Sequence, residues 1–415
     1  MLCLCINLTY NFNNTKSNPG LFLMTTANKN NKCIALLGTL PPIRALSSYC
    51  YELTKALAPH FKIEFISFKS IYPSFLYPGG DLKGDNTYPK MNLKTVHIRQ
   101  RLTWYNPISW VCEALSTKAD LLHAQWWSLP LFPIHLTICL FFKLKRKPIV
   151  FTVHNVLPHD KSLLYTKLSH LLFQFGDHFI VHTAIGQQQM INHYNISPDR
   201  VSVIPHGSLD FHVNNRADRH KLREEMGLNN NEKVILLFGA IRPYKGIDVA
   251  IRAMPEIIAQ VPEARLLIAG KLWEEWEPYD QLIKQLNLKD HVILHLEYIP
   301  SDQVHTFFEV SDLTIFPYRH FDSQSGVGAT AVSFQKPMIV SNVGGLPELV
   351  KDDQFVVEPD DARALAKKVT LCLNDSAMLE QMAQQTETIS QQLSWFDIAE
   401  KTKMVYRKVL PTKNW

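Results

Sequence analysis

The chain has 415 residues, 46% of them hydrophobic and 20% charged, an ordinary balance for a soluble globular protein of two or three domains. A formal net charge of +5 is too mild for a nucleic-acid binder, but it suits anionic small molecules or an anionic membrane surface. Seven scattered cysteines with no C-x-x-C pair argue against a disulfide framework or a zinc site, so a reducing cytoplasm is the expected setting.

Residues 1–31 are rich in Asn, Thr and Ser. They lack a basic segment followed by an apolar run, so they are expected to be a flexible extension, not a signal peptide, with Met24 an alternative start. From Lys32 onward, short apolar runs alternate with amphipathic segments. Strands are predicted at Cys33–Gly38, Phe61–Phe68, Thr95–Ile98, Leu121–Ala124, Ile149–Val153, Phe179–Thr183 and Val201–Ile204. A helix is predicted at Ser48–Leu57. The stretch Leu131–Phe142, LFPIHLTICLFF, is too short to cross a membrane and is interrupted by Pro133. It reads as a buried helix, with a helix on an anionic membrane surface as the alternative, because Lys143, Lys145, Arg146 and Lys147 follow at once.

Asp210–Arg219 is polar and reads as a linker, after which the alternation restarts. Strands are predicted at Val234–Phe238, Arg265–Ala269, Val292–Leu296, Leu313–Phe316 and Met338–Val340. Helices are predicted at Asp248–Gln260, Tyr279–Leu286, Asp302–Val310, Gly326–Phe334, Asp361–Leu373, Ala377–Leu393 and Phe396–Leu410, the last with Ile398, Thr402, Val405 and Val409 on one stripe. Such alternation gives an α/β fold of two doubly wound domains, expected at residues 32–212 and 213–394, with residues 395–415 as a final helix crossing back. Ligands of such folds bind at the carboxyl ends of the strands, here in the cleft between the halves.

Neither half carries G-x-G-x-x-G or a P-loop, and there is no H-E-x-x-H or D-x-D, so neither a cofactor nor a metal is indicated. Ser325 lies in SQSGVG, which is not a hydrolase nucleophile elbow. Three loops that follow strands of the second half carry anion-binding features. In the first, Gly239 breaks the strand, and Arg242 and Lys245 precede a helix opening at Gly246. Arg grips phosphate oxygens in pairs, Lys adds a point charge, and the helix start adds N–H groups. In the second, Asp322–Gly328 places Ser325, Gly326 and Val327 at another helix start. In the third, Ser341–Leu349, Gly344 and Gly345 allow a tight turn and Glu348 can bind hydroxyls. Taken singly, these read equally as solvated cations, a capped helix and an ordinary loop. Together they outline a sugar-nucleotide site.

The set FGAIRPYKG (Phe238–Gly246), IAGK (Ile268–Lys271), Pro317-Tyr318, Ser325-Gly326-Val327, Lys336-Pro337 and NVGGLPE (Asn342–Glu348) resembles the donor-binding domain of the GT-B retaining glycosyltransferases of family 4. The first half agrees through PPIRALSSYCYEL (Pro41–Leu53), DLLHAQWW (Asp120–Trp127), FTVHNVLPHD (Phe151–Asp160) and VIPHG (Val203–Gly207). The resemblance spans about Lys32 to Leu410. It implies two Rossmann-like domains facing a cleft and transfer of a sugar from a nucleotide diphosphate sugar to a glycan or glycolipid acceptor. It also implies a bacterial polysaccharide or lipid-linked setting and peripheral contact with the inner face of a membrane. The family's two donor-site glutamates fall on Asp322 and Thr330, and its H-x-H reads His123-Ala124-Gln125. His123, Gln125 and His154 are the expected catalytic group, facing the cleft from strand ends. For His154 the alternative is a structurally satisfied histidine. His159 and the hinge residue His206 are weaker candidates. Competing readings are a non-catalytic sugar-nucleotide or glycan binder, a GT-B epimerase and a phosphorylase.

Overall fold

The computed structural model describes residues 32–43, 46–73, 91–157, 163–208, 218–321 and 324–411. The first sheet has seven parallel strands: β1 (Cys33–Leu37), β2 (Lys62–Ser70), β3 (Val96–Thr103), β4 (Leu121–Trp126), β5 (Ile149–Val153), β6 (His178–Val181) and β7 (Val201–Val203). Their order is β3-β2-β1-β4-β5-β6-β7, so the winding reverses between β1 and β4. Helices α1 (Ser47–Leu57), α2 (Pro107–Ser116), α3 (Phe132–Leu144), α4 (Leu163–Phe173) and α5 (Ala184–Tyr194) connect them.

The second sheet has six parallel strands: β8 (Lys233–Phe238), β9 (Ala264–Ala269), β10 (Val292–His295), β11 (Leu313–Phe316), β12 (Met338–Ser341) and β13 (Val356–Val357), in the order β10-β9-β8-β11-β12-β13. Its helices are α6 (Arg219–Glu225), α7 (Ile247–Gln260), α8 (Glu277–Gln285), α9 (Val304–Val310), α10 (Gly326–Ser333), α11 (Ala362–Asn374) and α12 (Ser376–Gln392). Here the winding reverses between β8 and β11. The two switch points set the cleft where this topology binds ligands.

Central strands such as β5, IVFTV, are buried along their whole length, as a parallel sheet covered on both faces requires. Each sheet therefore has an apolar layer on either face. On one face of the first sheet, α1 shares its layer with α13 (Trp395–Val409). The C-terminal helix thus crosses back from the second half. Its stripe is real: Ile398, Thr402 and Val405 are buried against the first sheet.

No bounds are predicted for α2, α4 and α5, and three further elements differ from the predicted ones. β3 runs on to Thr103 although Arg99, Gln100 and Arg101 are polar, because it is an edge strand that leaves Gln100 and Arg101 exposed, while buried Arg99 is paired with Glu64 at 3.0 Å and Glu113 at 2.9 Å. β13 has only two residues between acidic stretches, too short to give a pattern. α6, RHKLREE, carries no apolar stripe and is started by Asp218, whose side chain accepts from the His220 N–H.

Candidate active site

Buried strand β8 delivers the chain to Gly239, which has φ +94°. A Cβ there would lie 2.7 Å from Lys245 Nζ and 2.8 Å from a Val327 methyl. Arg242 then precedes a short 3-10 turn, Pro243–Lys245, and Gly246 opens α7 with φ +67°. A Cβ on Gly246 would meet the Pro317 carbonyl at 2.0 Å, so only glycine fits. This packing brings the loops after β8 and β11 together.

Lys245 is buried, donates to the Phe238 carbonyl at 2.8 Å and lies 5.6 Å from the centre of the Tyr318 ring. Burial, with Arg242 adding to it, pushes its pKa down to about 7. The Arg242 guanidinium lies over the Trp273 ring, 3.6 Å from its centroid. Trp273 comes from the loop after β9 and is not among the predicted site residues. That loop is clamped to the first: Ile241 N–H donates to the Lys271 carbonyl at 2.9 Å, and Trp273 N–H to the Ile241 carbonyl at 3.1 Å. Arg242 is thus held by its flat face, and its side chain has no hydrogen-bond or ionic partner among the described residues.

Ser325 caps α10, accepting from Gly328 N–H at 3.1 Å. Gly326 faces open space, so the first N–H groups of α10 are accessible to an anion. The Thr330 hydroxyl donates to the Gly326 carbonyl at 3.0 Å and is occupied within its own helix. Asp322 lies outside the described residues, as does His159. Glu348 meets the other half: its carboxylate accepts from Ala184 N–H at 3.3 Å, at the start of α5.

The opposite wall carries Trp127, His154, Asn155, His182 and His206. His182 Nδ1, 2.9 Å from the Ile204 carbonyl, donates to it. Its Nε2 is then an acceptor, and His154 Nδ1, 3.1 Å away, donates to that. Burial, then His182, His206 and His123, hold the His154 pKa well below its usual value, so its Nε2 is an unprotonated acceptor. Gln125 Oε1 lies 2.9 Å from His154 Nε2 and the Gln125 amide nitrogen 3.4 Å from His123 Nε2. Because the amide O and N are assigned from their partners, turning the amide so that its NH2 donates to His154 and its carbonyl faces His123 balances the chain. His123 Nε2 then donates to Thr152 at 2.7 Å, and the Tyr406 hydroxyl of α13, 2.6 Å away, donates to His123 Nδ1.

This corrects the expected catalytic group. His123 is fully buried, Gln125 nearly so, and neither lines the cleft. His154 does line it, yet both its ring nitrogens are engaged within the chain. His206 also lines the cleft. Its Nδ1 pairs with the Gly207 carbonyl, and its backbone N–H donates to Gln324 Oε1 at 2.5 Å, which ties the hinge to the donor loop.

The two walls enclose a cleft of about 550 Å³, with Arg242, Lys245, Ser325 and Gly326 on one side and the histidine wall on the other. That volume lies in the range of small-molecule sites. Among the described residues no group of three or more His, Cys, Asp or Glu could hold a metal.

Residues 218–388 match the family model for glycosyl transferases group 1, and residues 46–208 that for glycosyltransferase family 4. A D-inositol 3-phosphate glycosyltransferase of Nocardioides is 28% identical over 248 residues, 56% of this chain and 54% of that protein. The chain thus spans about half the length of that relative. An uncharacterized glycosyltransferase of Methanocaldococcus jannaschii is 26% identical over 70% of this chain and 75% of its own. Among solved structures, Anabaena HepE in complex with UDP and glucose superposes with a TM-score of 0.69 at 17% identity, covering 91% of this chain and all of that one. Sucrose-phosphate synthase of Thermosynechococcus elongatus gives 0.70 at 17% identity, covering 91% of this chain and 99% of that one. The motifs, the two facing doubly wound sheets and both family models agree: the chain belongs to the GT-B glycosyltransferases of group 1, family 4.

Proposed function

We propose that the protein transfers a sugar from a nucleotide diphosphate sugar, a uridine nucleotide by analogy with the HepE complex, to an acceptor hydroxyl with retention of configuration. The observation that carries this is the donor wall: Arg242, stacked and with its N–H edge unpaired among the described residues, beside buried Lys245 and the open start of α10. Such preorganised donors are worth most where charge grows, and the leaving nucleoside diphosphate is where it grows. A phosphate beside Lys245 favours its charged form. The leaving phosphate then takes the acceptor proton, so no enzymic nucleophile is called for. His154, with both nitrogens occupied, shapes the cleft wall rather than acting as a base. The acceptor is a glycan or glycolipid of bacterial polysaccharide assembly, met by peripheral contact with the inner face of a membrane.

The test is transfer from UDP-sugars to a glycan panel. Arg242→Ala and Lys245→Ala should each cut turnover at least about a hundredfold, the scale for losing one such donor, with the fold intact. Full turnover in both variants would overturn the donor site. One observation favours a second reading, a sugar-nucleotide binder without turnover. Thr330 stands in place of a family glutamate, and its hydroxyl is spent on its own helix. That reading expects UDP-sugar binding with no product from any acceptor.

A further inference from the structure

Helices α2, α3 and α4 lie on one face of the first sheet and share its apolar layer. Their inward sides are accounted for by that layer. Their outward sides are not polar, as those of surface helices are. On α2 the outward stripe is Ile108, Cys112 and Leu115, with Ile108 72% and Leu115 57% exposed. On α3 it is Pro133, Thr137, Leu140 and Leu144, with Leu144 70% exposed. On α4, Leu164 and Leu171 are exposed with Lys167 between them. The one acid in the three helices, Glu113, is buried and paired with Arg99 at 2.9 Å.

The stripes adjoin. Lys145 Nζ, just beyond α3, donates to the carbonyls of Ala114 at 2.7 Å, Leu115 at 3.0 Å and Thr117 at 3.1 Å. That fastens the end of α3 to the end of α2. Two exposed cations flank this join, Lys118 after α2 and Arg146 after α3. Neither side chain has a partner among the described residues, whereas neighbouring Lys143 and Lys147 are spent on Asp177 and Asp120.

We propose that this face is the surface by which the protein lies on an anionic lipid bilayer. The inference rests on the reading of peripheral membrane contact and names its place. Leucines and an isoleucine standing out of adjacent helices enter the headgroup region, and cations at their rim meet lipid phosphates. Charge argues against a second copy of the chain as the occupant. A two-fold pairing of this face would bring its cations against each other with no outward acid in the three helices to answer them. No described helix is long and apolar enough to cross a membrane.

The test is cosedimentation of the full chain with phosphatidylcholine vesicles and with vesicles of two parts phosphatidylcholine to one part phosphatidylglycerol. The wild type should bind the anionic vesicles, and more weakly as salt rises. Leu115→Glu with Leu144→Glu should weaken that binding at least about tenfold. Lys118→Gln with Arg146→Gln should weaken it roughly thirtyfold. Melting temperature and UDP affinity should not change in either pair. A wild type that binds no vesicle overturns both the membrane contact and this face. Variants that bind like wild type overturn this face alone. A dimer in sedimentation analysis that Leu144→Glu dissociates, without vesicle binding, assigns the face to self-association and overturns the proposal.

Discussion

At the scale of the residue, Lys245 combines two opposed demands. In the proposed donor site it must be charged to meet a diphosphate, and it sits where burial disfavours charge. Its folded pKa of about 7 lies below the unfolded value of 10.5, so between those limits the unfolded chain binds more protons. This group therefore costs stability at neutral pH, and the cost disappears as pH rises through that window. Lys245→Met should flatten that slope and raise the melting temperature near pH 7, as differential scanning calorimetry would show. Nucleotide binding has the opposite sign, since a bound phosphate holds the proton on. UDP affinity should fall above pH 7, by up to about tenfold per pH unit for one linked proton, with proton uptake visible by titration calorimetry in buffers of different ionisation enthalpy. An affinity flat from neutral to mildly alkaline pH would place the diphosphate away from Lys245.

At the scale of the element, two contacts decide what the motifs mean. The Trp273 loop is a shelf for Arg242. Trp273→Ala should weaken UDP binding about fivefold, the scale of a partly exposed cation–π contact, leave uridine affinity unchanged, and be largely repaired by Trp273→Phe. Equal loss of uridine and UDP would mean that Trp273 contacts the base. The second contact is α13, whose Tyr406 hydroxyl bonds buried His123. Tyr406→Phe orphans a buried imidazole nitrogen and should cost about 1–3 kcal/mol, read by urea unfolding.

Most strands and helices were legible because buried parallel strands are continuous apolar runs and the helices between them carry stripes. The first loop was legible too, since Gly239, Arg242, Lys245 and Gly246 are close in sequence and each has a local physical reason. Trp273 was not, because it reaches Arg242 from a different βα loop and no local pattern marks a stacking partner. His123 and Gln125 do not face the cleft as expected, and His154 faces it with both nitrogens engaged, for a related reason. A histidine at a strand end looks alike whether it meets substrate or a tyrosine 283 residues away.

At the scale of the molecule, the charges of the cleft belong to one wall. The donor side carries Arg242 and Lys245, while burial holds His154, His182 and His206 below their usual pKa on the other. Among the described residues, three side-chain hydrogen bonds tie the two halves together near the hinge. Trp395 Nε1 donates to the Ser208 carbonyl at 2.6 Å, His206 N–H to Gln324, and Ala184 N–H to Glu348. A Cβ on Gly207 would come within 2.4 Å of the Trp395 ring, so the hinge is closely packed at its root. Two of these contacts start from loops that follow strands of the second sheet, so in the proposed function donor binding there is expected to couple to the approach of the two halves. Gln324→Ala should loosen that coupling, seen as faster donor hydrolysis relative to transfer because water is less well excluded.

The most direct measurement is the melting temperature of the purified chain with and without UDP, for the wild type and for Arg242→Ala. A ligand that binds only the folded protein adds about 2.7 kcal/mol of apparent stability at a hundred times its dissociation constant. The account expects a rise of several degrees in the wild type and little or none in Arg242→Ala, with equal melting temperatures in the absence of nucleotide. A wild type unmoved by saturating UDP, or an Arg242→Ala variant stabilised as fully as wild type, would contradict the assignment of this wall as the UDP-sugar site.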